Sequence, residues 1–254
     1  MSVVDIEISD GIGRITLNRP EQMNAITIDL GRELFEAIDT LGRDPDVDVI
    51  AVRGAGGNFC AGGDFAEVQR LRADGPDGLR PLFENFRQAC DAVATCPVPV
   101  VALVEGVAMA GGFELMQAVD LVLVRDDARI CDNHIRFGQV PGGGSTQRLA
   151  RLVGRQQALG VLLSGDRLSG TDALRLGLAY KSWPAAEFDD QADTFLRTLA
   201  GRDRAAVTTI KKLVHHGLSG PLDDGLDSEL DAVVAHISGD AGAHGVATFA
   251  TRRQ

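Results

Sequence analysis

Two stretches of this chain repeat one local plan: a strand-like apolar run, a glycine turn, Ala-Gly-Gly, then an acidic residue. The first reads AVRGAGGNFCAGGD over residues 51–64, and the second reads VALVEGVAMAGGFE over residues 101–114. Glycine lets the backbone approach a ligand closely and adopt turns closed to other residues. Consecutive glycines entering a helix leave N–H groups without intrahelical partners. Two such turns side by side aim two donors at one oxygen and stabilise an anion that forms only during reaction. Losing one donor of that kind typically costs about 3 kcal/mol of barrier. One glycine turn says only that the chain bends, but the same plan twice, each time after a strand, points to an oxyanion hole. A phosphate fits the same geometry. Against a nucleotide site, no Gly-x-x-x-x-Gly-Lys-Ser/Thr stretch is present, Gly142-Gly143-Gly144-Ser145 lacks the lysine, and no Gly-x-Gly-x-x-Gly follows the first strand.

Around these turns, short β-branched runs alternate with helical patterns, which predicts an α/β architecture. Residues 4–8 and 12–17 flank Asp10-Gly11 as a hairpin, and residues 47–52, 98–104 and 121–124 read as buried strands. Thr27 is placed to cap a helix carrying Leu30, Leu34, Ile38 and Leu41 on one face. Helical periodicity dominates after residue 155, with a boundary expected near residue 195: a core over 1–195 and a helical region over 196–254. Residues 72–80, which contain Gly75-Pro76, read as a mobile loop.

The 254 residues, 44% of them hydrophobic, suffice for one sizeable core. No apolar run reaches the roughly 18–20 residues of a membrane span. The acidic first 13 residues lack the pattern of a signal peptide, so a cytoplasmic location is expected. Cys60, Cys90, Cys96 and Cys131 show no zinc-like spacing and read as free thiols, so no metal is expected. A net charge of −11 argues against nucleic acid and anionic membranes as partners.

The chain resembles the crotonase (enoyl-CoA hydratase/isomerase) superfamily along nearly its whole length. The resemblance is carried by LNRPEQMNAI (17–26), GNFCAGGDF (57–65), PVPVVALVEGVAMAGGFEL (97–115), VPGGGSTQRLARLVG (140–154), LLSGDRLSGTDALRLGL (162–178) and GVATFATRR (245–253). It implies a spiral of ββα turns with a C-terminal helical region, assembled as trimers or dimers of trimers. It also implies an acyl-CoA substrate, with coenzyme A as part of the substrate and no separate cofactor. Gly63 and Gly111 match the pair whose N–H groups receive the thioester oxygen. Glu114, in its Gly-Gly-x-Glu-Leu context, matches the glutamate that activates water; its plainer reading is an acid at a helix start, where negative charge is favoured.

The family's second glutamate is missing. Its Phe-Gly-x-Pro-Glu pattern becomes Ile130-Cys131-Asp132-Asn133-His134, and ungapped counting places His134 at the glutamate's position. Histidine shuttles protons near neutral pH, so a Glu114–His134 pair is expected to add water to, or remove it from, an acyl-CoA. Asp132 or Asn133 is expected to orient the imidazole, unless His134 merely bonds a ligand or fills space. Isomerisation is the less favoured reading, because the single-base isomerases generally keep the carboxylate at the position of 134. The Asp132/His134 cluster also allows hydrolysis of a carbon–carbon bond in a CoA-free β-diketone, and loss of the second glutamate allows a non-catalytic acyl-CoA-binding homologue. A serine hydrolase built on Ser145 lacks the Gly-x-Ser-x-Gly elbow.

For the substrate, the resemblance points to Gln22, Met23, Ala61, Asp64, Phe65, Pro141, Gly142, Phe249 and Arg252, with the 141–145 loop shaping the acyl pocket. Arg19, Lys211 and Lys212 are further candidates for the CoA phosphates, although Lys211-Lys212 also reads as a solvated helix face. A lysine frequent in the family is replaced here by Ala66.

Overall fold

In the computed structural model, which describes residues 2–239 and 242, the chain opens with an antiparallel hairpin, β1 (Val4–Ser9) and β2 (Ile12–Leu17). In α1 (Ile28–Arg43) the Thr27 hydroxyl accepts the Leu30 N–H at 3.1 Å, and Leu30, Leu34, Ile38 and Leu41 form the buried stripe. There follow β3 (Val49–Gly54), α2 (Phe65–Arg72), α3 (Gly75–Thr95), β4 (Val100–Val104), β5 (Val107–Met109) and α4 (Gly111–Ala118). Next come β6 (Leu121–Arg125), β7 (Arg129–Cys131), α5 (Ser145–Val153), α6 (Arg155–Ser164), α7 (Gly170–Leu176) and β8 (Lys181–Trp183). Three helices complete the described elements: α8 (Phe188–Ala200), α9 (Arg204–Gly217) and α10 (Leu222–Ser238).

The large sheet runs β1-β2-β3-β4-β6-β8, parallel from β2 onward, and a small sheet pairs β5 with β7. After β3, β4 and β6 the chain steps from the large sheet to the small one and then enters a helix. For β3 the step is made by Cys60, which bridges Ala108 of β5. Three successive ββα turns of a spiral result, in agreement with the expected fold. Both faces of the central strands β3, β4 and β6 are covered, which is why these read as nearly unbroken apolar runs. Ile50, Val52, Val100 and Ala102 pack with the apolar faces of α1 and α3, while Val49, Ala51, Val101 and Leu103 pack against Phe188, Ala192 and Leu196 of α8.

Three expectations require correction. Residues 72–80 are mostly the start of α3. Pro76 lies in the first turn, where its missing N–H costs nothing. Leu82, Phe86, Ala89, Cys90 and Val93 then bury one face of the helix, so tertiary packing overrides the Gly-Pro signal. The boundary at residue 195 falls inside α8, which packs on the sheet as one unit; the chain leaves the sheet after Ala200. Lys211 is not solvated: it is 8% exposed, its Nζ donates to Val98 O at 2.9 Å and pairs with Asp120 at 2.7 Å. Asp120 also accepts the Val100 N–H and meets His215 Nε2 at 2.7 Å, so the cluster pins α9 to the N-terminal end of β4. Lys211→Met leaves this half-buried carboxylate with fewer partners, and urea unfolding is expected to read a loss of about 1–3 kcal/mol.

Candidate active site

The small sheet stacks the two Ala-Gly-Gly turns against each other. Cys60 N donates to Val107 O and Met109 N to Cys60 O, both at 2.9 Å, so the first turn continues the edge of β5. Gly62 has φ +102°, and a Cβ built on it would lie 2.7 Å from Ala110 Cβ and 3.4 Å from Gly111 N. Only glycine permits this approach. Ala110 itself sits at φ 47°, ψ −117°, an outlier for a residue with a side chain, of a kind that costs about 1–3 kcal/mol and clusters at functional sites. Its N–H is committed to Cys131 O at 3.0 Å. Gly111 is the first residue of α4, and among the described residues neither its N–H nor that of Gly63 has an acceptor. Both glycines line one cavity of about 380 Å³.

Glu114 stands one turn into α4 at that cavity and is 2% exposed. Its Oε1 accepts the Gly143 N–H at 2.7 Å and the Ser145 N–H at 3.1 Å. Its Oε2 has no partner among the described residues. Burial raises the carboxyl above its usual range, and the two backbone donors and the nearby His134 only partly offset this. His134 lines the same cavity from the 3-10 turn His134–Phe137. Its Nδ1 is 2.7 Å from Asp132 Oδ1, which leaves Nε2 as the ring nitrogen without a partner among the described residues. Burial disfavours the imidazolium, but the bond to Asp132 and the charges of Asp132 and Glu114 outweigh it, so His134 titrates above its ordinary value. Asp132 is wholly buried behind the ring, and its Oδ2 has no partner among the described residues. The pair therefore offers a carboxylate and an imidazole, both tuned upward, facing one apolar cavity.

The predicted residues divide clearly. Gly63, Gly111, Glu114, His134, Asn133, Ala61 and Phe65 line the cavity. Asp132 does not line it and stands behind His134, against the ring's Nδ1. Asp64 instead caps α2, accepting the Glu67 N–H at 3.0 Å and pairing with Arg19 at 2.8 Å, which corrects the reading of both as ligand-binding groups. Gln22 and Met23 form a short turn behind the first glycine turn, where Met23 O accepts the Ala61 N–H at 3.0 Å; they support the cavity and do not line it. Of the 140–143 loop, Val140 and Gly143 form the wall, whereas Pro141 and Gly142 lie outside it. Buried Lys211 does not face solvent for a phosphate. Phe249 and Arg252 lie outside the described residues.

Sequence reasoning missed the two N–H groups that grip Glu114 and the aromatic wall of Phe83 and Phe86. The one available signal was the glycine triplet before α5. Ser145 gives Glu114 its N–H, and its buried hydroxyl accepts from Gln117 at 2.8 Å, so it forms no triad with His134. Burial pushes the thiols of Cys60 and Cys90 up to about 12, which removes thiolate nucleophiles. Among the described residues, no group of three His, Cys, Asp or Glu side chains is placed to hold a metal ion, and no helix is long and apolar enough to cross a membrane.

The fold and cavity define a class: an α/β spiral that presents two free glycine N–H groups beside an acid–base pair. A family model described as enoyl-CoA hydratase/isomerase matches residues 7–254. A probable enoyl-CoA hydratase of Rhodobacter capsulatus is 32% identical over 252 residues, covering 97% of this chain and 94% of the relative. A peroxisomal Δ(3,5)-Δ(2,4)-dienoyl-CoA isomerase of Arabidopsis thaliana is 28% identical, covering 89% of this chain and 85% of that protein. The crystal structure of an enoyl-CoA hydratase from Polaromonas sp. JS666 superposes with a TM-score of 0.94 at 29% identity, over 98% of this chain and 97% of the other. The chain belongs to the enoyl-CoA hydratase/isomerase family and is an enzyme of that family, with the crotonase fold.

Proposed function

We propose that this enzyme adds water to, or removes it from, an enoyl-CoA thioester, using Glu114 and His134 where relatives of the hydratase type use two glutamates. The observation that carries the reading is the pairing of Glu114 with the Asp132–His134 dyad at one cavity beside the two free glycine N–H groups. The thioester oxygen accepts from Gly63 and Gly111, which stabilises the enolate. Glu114 Oε2 takes a proton from water as the oxygen bonds to Cβ. His134 Nε2, protonated, gives its proton to Cα. Hydroxyl and hydrogen are thereby added across the double bond, leaving Glu114 protonated and His134 neutral; transfer of that proton back to the imidazole restores both groups. Asp132 holds the ring and balances its charge.

Coenzyme A enters as part of the substrate. The helical hairpin of α9 and α10 exposes Ile210, Val214, Leu218, Leu222, Leu226 and Leu230, and α10 has no buried residue. Exposed apolar residues along this hairpin support self-association, and the family resemblance makes a trimer or a dimer of trimers the expected form.

The test is turnover on trans-2-enoyl-CoA esters of graded length, followed by loss of the conjugated-thioester absorbance. Hydration with Glu114-dependent rate is expected. Double-bond migration in 3-enoyl-CoA without hydration would replace the proposal with isomerisation. Cleavage of a CoA-free β-diketone would replace it with carbon–carbon hydrolysis, and binding of esters without turnover would mark a non-catalytic homologue.

A further inference from the structure

Glu114 is gripped by a loop that has little means of holding its own shape. Residues 142–144 are all glycine, the residue type that loses most conformational freedom on ordering. No side chain substitutes for that freedom at position 143. A Cβ on Gly143 would lie 2.4 Å from Phe86 Cε1 and 2.9 Å from Glu114 Oε2. The brace comes from outside the loop. Arg148 of α5 turns back and donates from Nη1 to Gly143 O at 2.6 Å, while its Nη2 pairs with Asp91 Oδ1 of α3 at 2.7 Å. Gly143 is therefore held on both sides: its N–H points to Glu114 and its carbonyl to Arg148. Asp91 completes the link to α3, the helix that also carries Phe83 and Phe86 of the cavity wall.

We infer that Arg148 and Asp91 form a clamp that keeps the 142–145 loop in the conformation that grips Glu114, which makes Arg148 a positioning residue for the reaction; the inference rests on the role proposed above for Glu114. The clamp touches no reacting atom. It acts by keeping two N–H donors on Oε1, so that Oε2 stays aimed into the cavity.

The test compares Arg148→Gln, Arg148→Lys and Asp91→Asn with the wild type on a four-carbon trans-2-enoyl-CoA, together with amide hydrogen exchange over residues 142–145. Arg148→Gln is expected to lower kcat about 10- to 100-fold with a much smaller change in KM, the range seen when a reacting group is misplaced. Arg148→Lys keeps the charge and one bond, and is expected to recover part of the loss. Both Arg148→Gln and Asp91→Asn are expected to speed exchange at the loop amides at least tenfold. Asp91→Asn separates the clamp from simple electrostatics by sign. Removing a negative charge alone would move the acid limb of the rate profile to lower pH. Loosening the loop withdraws N–H donors from the Glu114 carboxylate and moves it to higher pH. Wild-type exchange in both variants, or an acid limb that moves down in Asp91→Asn, would overturn the clamp. A fully active Glu114→Gln would instead overturn the Glu114 role, and the exchange result would still decide whether the loop is clamped.

Discussion

Glu114→Gln is expected to lose about 10²- to 10⁴-fold in kcat/KM, the usual scale for removing a general base. The amide is nearly isosteric and its oxygen still accepts the N–H groups of Gly143 and Ser145, so the loop stays in place. Only the capacity to take a proton is removed. Binding of the acyl-CoA is expected to change little, because the thioester oxygen is received by Gly63 and Gly111. Stability is not expected to fall, since burial opposes the Glu114 charge and a neutral amide relieves that opposition. Steady-state kinetics beside thermal unfolding checks both halves. A variant that lost rate only by losing its fold would contradict the assignment of a catalytic role.

The second large effect is on the pH profile. The reaction as proposed needs Glu114 ionised and His134 protonated, so kcat/KM should be bell-shaped. The acid limb follows Glu114 and lies above the ordinary carboxylate value of 4.5, because burial raises it. The alkaline limb follows His134 and lies above 6.5, because Asp132 and Glu114 outweigh burial. Asp132→Asn withdraws the imidazolium's counter-charge, and the alkaline limb should move to lower pH. His134→Ala should abolish that limb and cost about 10²-fold or more at neutral pH. His134→Glu, which restores the residue type of the family pattern, should return activity with its optimum displaced toward acid. An alkaline limb unchanged in His134→Ala would show that the imidazole takes no part in the proton transfer.

Much of the fold was legible from local patterns. Unbroken β-branched runs mark strands buried on both faces, the Thr27 cap and its apolar stripe mark α1, and the repeated Ala-Gly-Gly plan marks the two stacked turns. Local chemistry misled where a longer contact prevailed. Gly75-Pro76 reads as a loop but begins a helix that buries its face against α1. Asp64 follows Ala-Gly-Gly as Glu114 nearly does, yet it caps α2 and pairs with Arg19, while Glu114 enters the cavity. Lys211 looks like half of a solvated pair and is the buried partner of Asp120.

By itself the sequence determined β1–β4 and β6, the two glycine turns and the residue types that could carry protons, since each depends on neighbours within a few positions; the three-residue strands β5, β7 and β8 are too short to show a local pattern. The tertiary structure decided which of these meet. Cys60 and Ala108 must bridge before Gly63 and Gly111 share a cavity. Asp132 must be buried before it directs the His134 ring. The 142–145 loop must be held by Arg148 and Asp91 before its N–H groups converge on Glu114. Those contacts join residues that are distant in the chain, and their energies depend on burial and orientation that no local pattern encodes.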